Sequence, residues 1–249
     1  PSDARQGQLL AEIAIRRLIK QVAVTYTNNK YGQLLADSFS STYKKLGGEV
    51  TAMVPHEDGK VDYSTEVTSL DATGADVLAV FGYVDKGGRH IIQESLDSDA
   101  FDKFILTDGM YGESLIKHVD GDLTGTFGIS PGTDSEKADI FAAMAKSAGI
   151  GNAYTGESYD AAALLILAIQ SAWSTDSTAI ASNVMRVANA PGEKILPGEL
   201  TKGLRIIARG EAVDYVGATN VELIGSGEAK GSFEEFEISN KMFITIRFH

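Results

Sequence analysis

An α/β fold organised on a parallel sheet is predicted by three features of this sequence. Short apolar runs recur at residues 22–26, 49–54, 77–81 and 103–106, each bounded by turn residues and each too short for a helix. Between them lie stretches in which apolar residues return at helical spacing. The runs and stretches alternate, which is the pattern of strands covered by helices on both faces.

In chain order, Leu9, Leu10, Ile13, Ile15 and Leu18 mark a first helix, and the run 22–26 a first strand. Leu34, Leu35, Phe39, Tyr43 and Leu46 mark the next helix, followed by the strand 49–54. Val67 and Leu70 carry a short helix into the strand 77–81, and Ile91, Ile92 and Leu96 another into 103–106. In such a sheet the loop after each strand opens on the same side, so residues 27–31, 82–86 and 107–112 gather at one edge. Open α/β sheets bind their ligands along that edge. It would carry two aromatic hydroxyls and a carboxylate, Tyr31, Tyr83 and Asp108. Each has a structural alternative. Asp before Gly is a common turn residue that can start the short helix expected at 112–118. The two tyrosines can pack as aromatics on the sheet rim. Their conjunction at three strand ends is what favours binding.

After Gly128 the alternation stops. Residues 135–148, 159–173, 177–187 and 198–208 read as four helices with little strand between them. Their apolar faces, such as Ala162, Leu165, Ile166 and Ile169, need a sheet to cover. This segment holds too few strands to make one, so the helices either pack on the first sheet or belong to a second lobe whose strands lie upstream of Pro1. Beyond Gly210 come strands at 221–224, 233–238 and 242–248. In the last of these Met242, Ile244, Ile246 and Phe248 alternate with polar or exposed positions, and Ser239-Asn240 suits a hairpin turn.

Composition narrows the function classes. The 249 residues are 43% hydrophobic, enough for one large or two small globular domains. A net charge of −12, with no basic cluster beyond Arg16-Arg17 and Lys44-Lys45, makes nucleic acid a poor partner. The absence of cysteine excludes disulfides, thiolate catalysis and zinc–thiolate sites. No apolar stretch approaches the roughly 18 residues of a membrane-spanning helix, and no signal peptide is visible. The opening Pro1-Ser-Asp-Ala reads as a helix start in a trimmed chain.

Catalytic motifs fail on their chemistry. Gly128-Ile-Ser130-Pro-Gly132 matches G-x-S-x-G, but Pro131 has no N–H to give an oxyanion hole. A Pro-Gly turn closing a strand is the simpler reading. Gly225-Ser-Gly227 opens no helix that could meet a phosphate and reads as a hairpin loop. The four histidines, His56, His90, His118 and His249, show no metal-ligand spacing. His56-Glu57-Asp58-Gly59 is expected as a solvated turn and His118 at a helix end, so neither metal nor cofactor is assigned.

The segments 22–36, 46–48, 62–64, 75–83, 107–109 and 159–162 together resemble the type I periplasmic substrate-binding proteins of branched-chain amino acid ABC importers. The first of these reads Val-Ala-Val-Thr-Tyr-Thr-Asn-Asn-Lys-Tyr-Gly-Gln-Leu-Leu-Ala. The resemblance covers nearly the whole chain. It implies the periplasmic-binding-protein type I fold: two Rossmann-like lobes of parallel sheet flanked by helices, the first lobe incomplete here. Residues 1–129 and 232–249 would form the second lobe, and 130–231 the helical remainder of the first with the hinge crossings. Ligand would be held between lobes and delivered to a membrane permease outside the cytoplasm, with no bond made or broken. In amino-acid binders of the family the position matching Asp108 carries an acid that pairs with the ligand α-ammonium, and those matching Tyr31 and Tyr83 contact the ligand. The Ser/Thr set that holds the α-carboxylate lies upstream of Pro1. Asp108 also stands where the best-known amino-acid binder has Glu, which would withdraw the carboxylate by about one methylene and implies a different ligand or an added water. Two other readings are a sensory or regulatory ligand-binding domain of the same fold, and a hydrolase using Ser130 or the acids Asp108 and Asp85.

Overall fold

The computed structural model describes residues 1–151 and 154–249. The chain divides into two compact units, one of Ser2–Ser130 with Phe233–His249, the other of Pro131–Ser232 with Pro1.

The larger unit is the α/β fold expected from the strand pattern. Helix α1 (Asp3–Arg16) precedes β1 (Gln21–Thr27), α2 (Lys30–Lys45), β2 (Glu49–His56) and α3 (Ser64–Asp71). Then come β3 (Val77–Phe81), α4 (Gly88–Asp97), β4 (Phe104–Leu106), α5 (Glu113–His118) and β5 (Phe127–Pro131). After the excursion through the other unit, β10 (Phe233–Ser239) and β11 (Met242–Phe248) complete a seven-stranded sheet of order β11-β10-β5-β4-β3-β1-β2. The pairs β1–β2, β1–β3, β3–β4 and β4–β5 are parallel, and β10–β11 is antiparallel.

Alternate strand residues explain the two cores, because successive side chains of a strand leave opposite faces. Val22, Val24, Val77, Ala79, Phe81 and Ile105 pack with Leu10, Ile13, Leu35 and Phe39 of α1 and α2. Ala23, Leu78, Val80, Phe104 and Leu106 pack instead with Val67, Leu70, Ile91, Ile92 and Leu115 of α3, α4 and α5. All five residues of β3 are buried, as a strand covered on both faces requires. Each large side chain so enclosed contributes about 1.5–3 kcal/mol.

Two expectations for this unit are corrected. β2 continues through Pro55 to His56, which is buried rather than lying in a solvated turn. Proline suggested that the strand ended at Val54, but β2 is the edge of the sheet, where a missing N–H costs no ladder bond. In β11 the residue that enters the core is Phe243, against Tyr111 and Phe236. Met242, Ile244, Ile246 and Phe248 are all exposed. The pairing with β10 also slips between Glu235 and Phe236, so the alternation breaks at a bulge. The hairpin turn is one residue later than expected. Ser239 pairs with Met242, and the central Asn240 and Lys241 both have positive φ, 51° and 57°, as a two-residue primed turn demands. Arg17 ties this hairpin to the end of α1, donating to Glu237 at 2.7 Å and to the buried Glu235 at 2.9 Å.

The other unit contains α6 (Glu136–Ser147), α7 (Thr155–Ala172), α8 (Ser177–Ala188) and α9 (Leu200–Ala208), the four expected helices. It also contains two small sheets, of which the sequence reading had only the strand at 221–224 and the hairpin loop at Gly225–Gly227. β6 (Glu193–Ile195) and β7 (Val213–Tyr215) pair in parallel around α9, and β8 (Leu223–Ile224) and β9 (Glu228–Ala229) form a hairpin on the Gly225–Gly227 loop. Three-residue strands fall below the length at which an apolar run announces itself. α7 turns Ala163, Leu164, Leu167 and Ala168 into the core with Ile195, Ile206 and Tyr215, whereas Ala162, Leu165 and Ile166 are exposed. The helix is apolar nearly all round, so periodicity did not identify which face it buries. Asp160 of α7 is buried and accepts four bonds: Tyr215 hydroxyl at 2.7 Å, Ala218 N–H at 2.8 Å, and Thr219 N–H and hydroxyl each at 2.7 Å.

Candidate functional site

The chain order of the large sheet reverses at β1, which lies between β2 and β3. In doubly wound sheets the crevice at the carboxyl ends of the strands flanking that reversal is where ligands bind. The loops that meet there follow β1 and β3, and the loop after β4 is next to them.

Local chemistry fixes each side chain. The Asn29 side chain accepts the Gly32 N–H at 3.0 Å, starting α2 and setting Tyr31 in its first turn. Tyr83 follows β3 directly and precedes a 3-10 turn over Val84–Lys86. Asp108 opens another 3-10 turn, Asp108–Met110, after buried Thr107.

These three residues come together. The rings of Tyr31 and Tyr83 stack with centroids 5.2 Å apart at 23°, and the Lys86 ammonium sits 5.3 Å from the Tyr83 ring. The Tyr31 hydroxyl donates to Asp108 Oδ1 at 2.6 Å, within the range of a charge-assisted O–H···O⁻ bond. Its oxygen also lies 3.1 Å from Thr107 Oγ1 and accepts the Gly109 N–H at 3.3 Å. Burial foremost, then the Asp108 charge, raises the Tyr31 hydroxyl above its ordinary pKa, so it is a donor at neutral pH. The residues at the two cap positions, Thr107 and Gly112, make no side-chain cap bond, and Asp108 is engaged with Tyr31. Asp3 in the first turn of α1 is raised by burial first and by Asp108 second, which makes it an electrostatic neighbour of this edge that the sequence reading missed.

The approach of the loops depends on glycine at position 109. A Cβ there would stand 2.3 Å from the Gly82 carbonyl oxygen and 3.0 Å from the Tyr31 hydroxyl. All the ingredients are half-buried or buried. The edge therefore presents two aromatic rings, hydroxyl tips and a carboxylate side by side.

The other candidates do not assemble. Ser130 is buried in β5 ahead of Pro131. Asp85 is exposed and accepts from the Ser114 hydroxyl at 2.6 Å. His118 ends α5 as expected, and His249 lies 2.9 Å from Glu235 Oε2. Among the described residues no group of three or more His, Cys, Asp or Glu is placed to hold a metal, and no helix is long and apolar enough to cross a membrane. A concavity in the Pro131–Ser232 unit is lined by Thr133, Glu157, Asp160, Leu164 and Asn220, but its Asp160 is saturated by the four bonds above.

Comparison with known proteins agrees with this architecture. The model of the periplasmic binding protein family matches residues 1–194. A chemotactic signal transduction system substrate-binding protein, BasB of Halobacterium salinarum, is 24% identical over 232 residues, 92% of this chain and 54% of that protein. The Leu/Ile/Val-binding protein homolog 1 of Brucella abortus is 28% identical over 164 residues, 65% of this chain and 44% of its own length. The chain thus spans about half the length of the curated relatives it matches. Among solved structures, a leucine-binding protein LivK from Thermotoga maritima superposes with a TM-score of 0.78 at 20% identity, covering 99% of this chain and 65% of that one. A solute-binding protein from R. palustris in complex with benzoate gives a TM-score of 0.70 at 12% identity over 99% of this chain and 63% of its own. The sheet order, the flanking helices and a family match over residues 1–194 of 249 place this chain in the periplasmic binding protein family.

Proposed function

We propose that this chain is ligand-binding substance of an extracytoplasmic solute-binding protein that serves an ABC importer, and that its ligand is an amino acid. The observation that carries the reading is the Tyr31–Tyr83–Asp108 cluster at the reversal point of the sheet. An ammonium leaving water needs a paired charge with well-placed partners, and Asp108 supplies that charge. Tyr31 holds one oxygen of the carboxylate by its 2.6 Å bond, which fixes the plane in which a ligand cation meets it. The stacked rings give the apolar wall that a branched or aromatic side chain requires. Binding alone accounts for these parts, and no step of covalent chemistry is assigned. Leucine stands first among candidates because relatives of similar fold are named for leucine or for Leu/Ile/Val.

A thermal-shift panel of the proteinogenic amino acids, with benzoate as an acid lacking an ammonium, tests the reading. Stabilisation by amino acids and not by benzoate supports it. Stabilisation by benzoate alone, or by nothing in the panel, overturns the amino-acid assignment. A second reading, a binding protein that feeds a sensory system, is favoured by the similarity to the chemotactic relative. It uses the same site and differs in the membrane partner.

A further inference from the structure

His56 is the one buried histidine among the described residues, only 1% exposed at the end of β2. Thr25 Oγ1 lies 3.0 Å from the Val54 carbonyl and 2.8 Å from His56 Nδ1. In the tautomer where the hydroxyl donates to Val54 and accepts from Nδ1, Nε2 is a bare acceptor. That Nε2 is enclosed and has no hydrogen-bond partner among the described residues. A buried acceptor without a donor costs about 1–3 kcal/mol, so its position calls for another explanation than stability.

Nε2 faces the segment that carries the binding edge. A Cβ on Gly82 would lie 3.0 Å from it, so imidazole and Gly82 are in contact. The Gly82 carbonyl in turn abuts Gly109, whose N–H donates to the Tyr31 hydroxyl, and Tyr83 is the next residue in the chain. The packed path runs from His56 through Gly82 to Gly109, Tyr31 and Asp108. Around the ring stand Thr27, whose hydroxyl donates to Asp58 at 2.5 Å, and Tyr63, edge-on at 6.0 Å with His90 stacked behind it at 6.5 Å. Asp58, Glu57 and Glu66 favour a charged imidazole and Lys60 opposes it, but burial outweighs them and holds the ring neutral, its pKa pulled down to about 4.

We propose that His56 is a positioning residue of the Tyr31–Tyr83–Asp108 site, its imidazole edge holding Gly82 against Gly109. A proton on Nε2 would enter the space that a side chain at Gly82 would otherwise fill, which couples protonation of the ring to the Gly82 segment. The proposal deepens the amino-acid reading and rests on it only for the affinity measurement.

Two variants separate the ring's two ends. His56→Asn keeps a donor for Thr25 and removes the atom that touches Gly82, whereas His56→Gln reaches the Nε2 position. Leucine affinity is measured by calorimetry at pH 7.5, and the Gly82, Tyr83 and Gly109 amide resonances are followed in ligand-free protein. The expected result is leucine affinity weaker by about tenfold in His56→Asn, recovery to within about twofold in His56→Gln, and amide shifts at Gly82 and Gly109 in His56→Asn alone. In the wild type those amides should also follow the imidazole as it titrates near pH 4. Equal affinity in wild type and His56→Asn, or equal loss in both variants, overturns the proposal. If wild type binds no leucine the amino-acid reading fails, and the amides then decide: shifts that track His56 uphold the positioning role, and unmoved Gly82 and Gly109 signals sink it.

Discussion

Replacing Tyr31 by Phe removes one oxygen and keeps the ring stacked on Tyr83, so it isolates the hydroxyl's part in the site. That oxygen donates to Asp108 at 2.6 Å and accepts from Gly109 at 3.3 Å. A hydrogen bond to a charged group contributes about 1.5–3 kcal/mol, and the half-buried setting keeps solvent from replacing it in full. The longer bond from Gly109 adds little. Urea unfolding at pH 7.5 should therefore place Tyr31→Phe about 1.5–3 kcal/mol below wild type. A double-mutant cycle with Asp108→Ala, which removes the acceptor, should return most of that as coupling, because the two groups share the bond. The pH dependence has a definite sign. The folded-state pKa of Tyr31 is raised above its ordinary 10.0, so its contribution is whole below pH 10 and is lost as the pH climbs beyond it. The gap between wild type and Tyr31→Phe should narrow above pH 10. A coupling under about 0.5 kcal/mol, at the level of additive sites, would refute the reasoning.

Acid should unfold the wild type earlier than its carboxylates alone require. His56 is held neutral with a pKa near 4 against 6.5 for the free side chain, so its contribution to stability is present above 6.5 and lost as pH falls toward 4. The full loss is about 3 kcal/mol at about 1.4 kcal/mol per pH unit, and urea midpoints from pH 7 to 4 should flatten in His56→Asn. In the Pro131–Ser232 unit, Asp160→Ala strands the donors of Tyr215, Ala218 and Thr219. It should cost about 1–3 kcal/mol for each donor left buried and unpaired, and hydrogen exchange should rise across residues 213–219 while residues 77–81 keep their protection.

The sheet was legible in the sequence because its central strands are buried on both faces and read as unbroken apolar runs. Residues 77–81 became β3 without adjustment. Tyr31, Tyr83 and Asp108 were found by one rule, that loops after parallel strands share an edge, and the structure stacks the two rings and bonds the carboxylate. His56 was misread because the apolar run stops at Val54, and Met53 together with the register slip at Thr51 leaves no clean alternation to carry the strand on; Pro55 is tolerated because β2 is the edge of the sheet. Phe243 was missed because four exposed apolar residues imposed the opposite phase on β11. The strands β6, β7 and β9 have two or three residues each and leave no periodicity to read, whereas β8 lies within the strand expected at 221–224. Asp3 became a neighbour of Asp108 only through tertiary folding, and no local pattern announces such a contact.

The most direct test of the account is a calorimetric titration of wild type and Asp108→Asn with leucine at pH 7.5. If Asp108 pairs with the ligand ammonium, wild type binds and the variant loses about 1.5–3 kcal/mol, roughly ten- to a hundredfold in affinity. Leucine binding of equal strength in the two proteins would contradict the central claim.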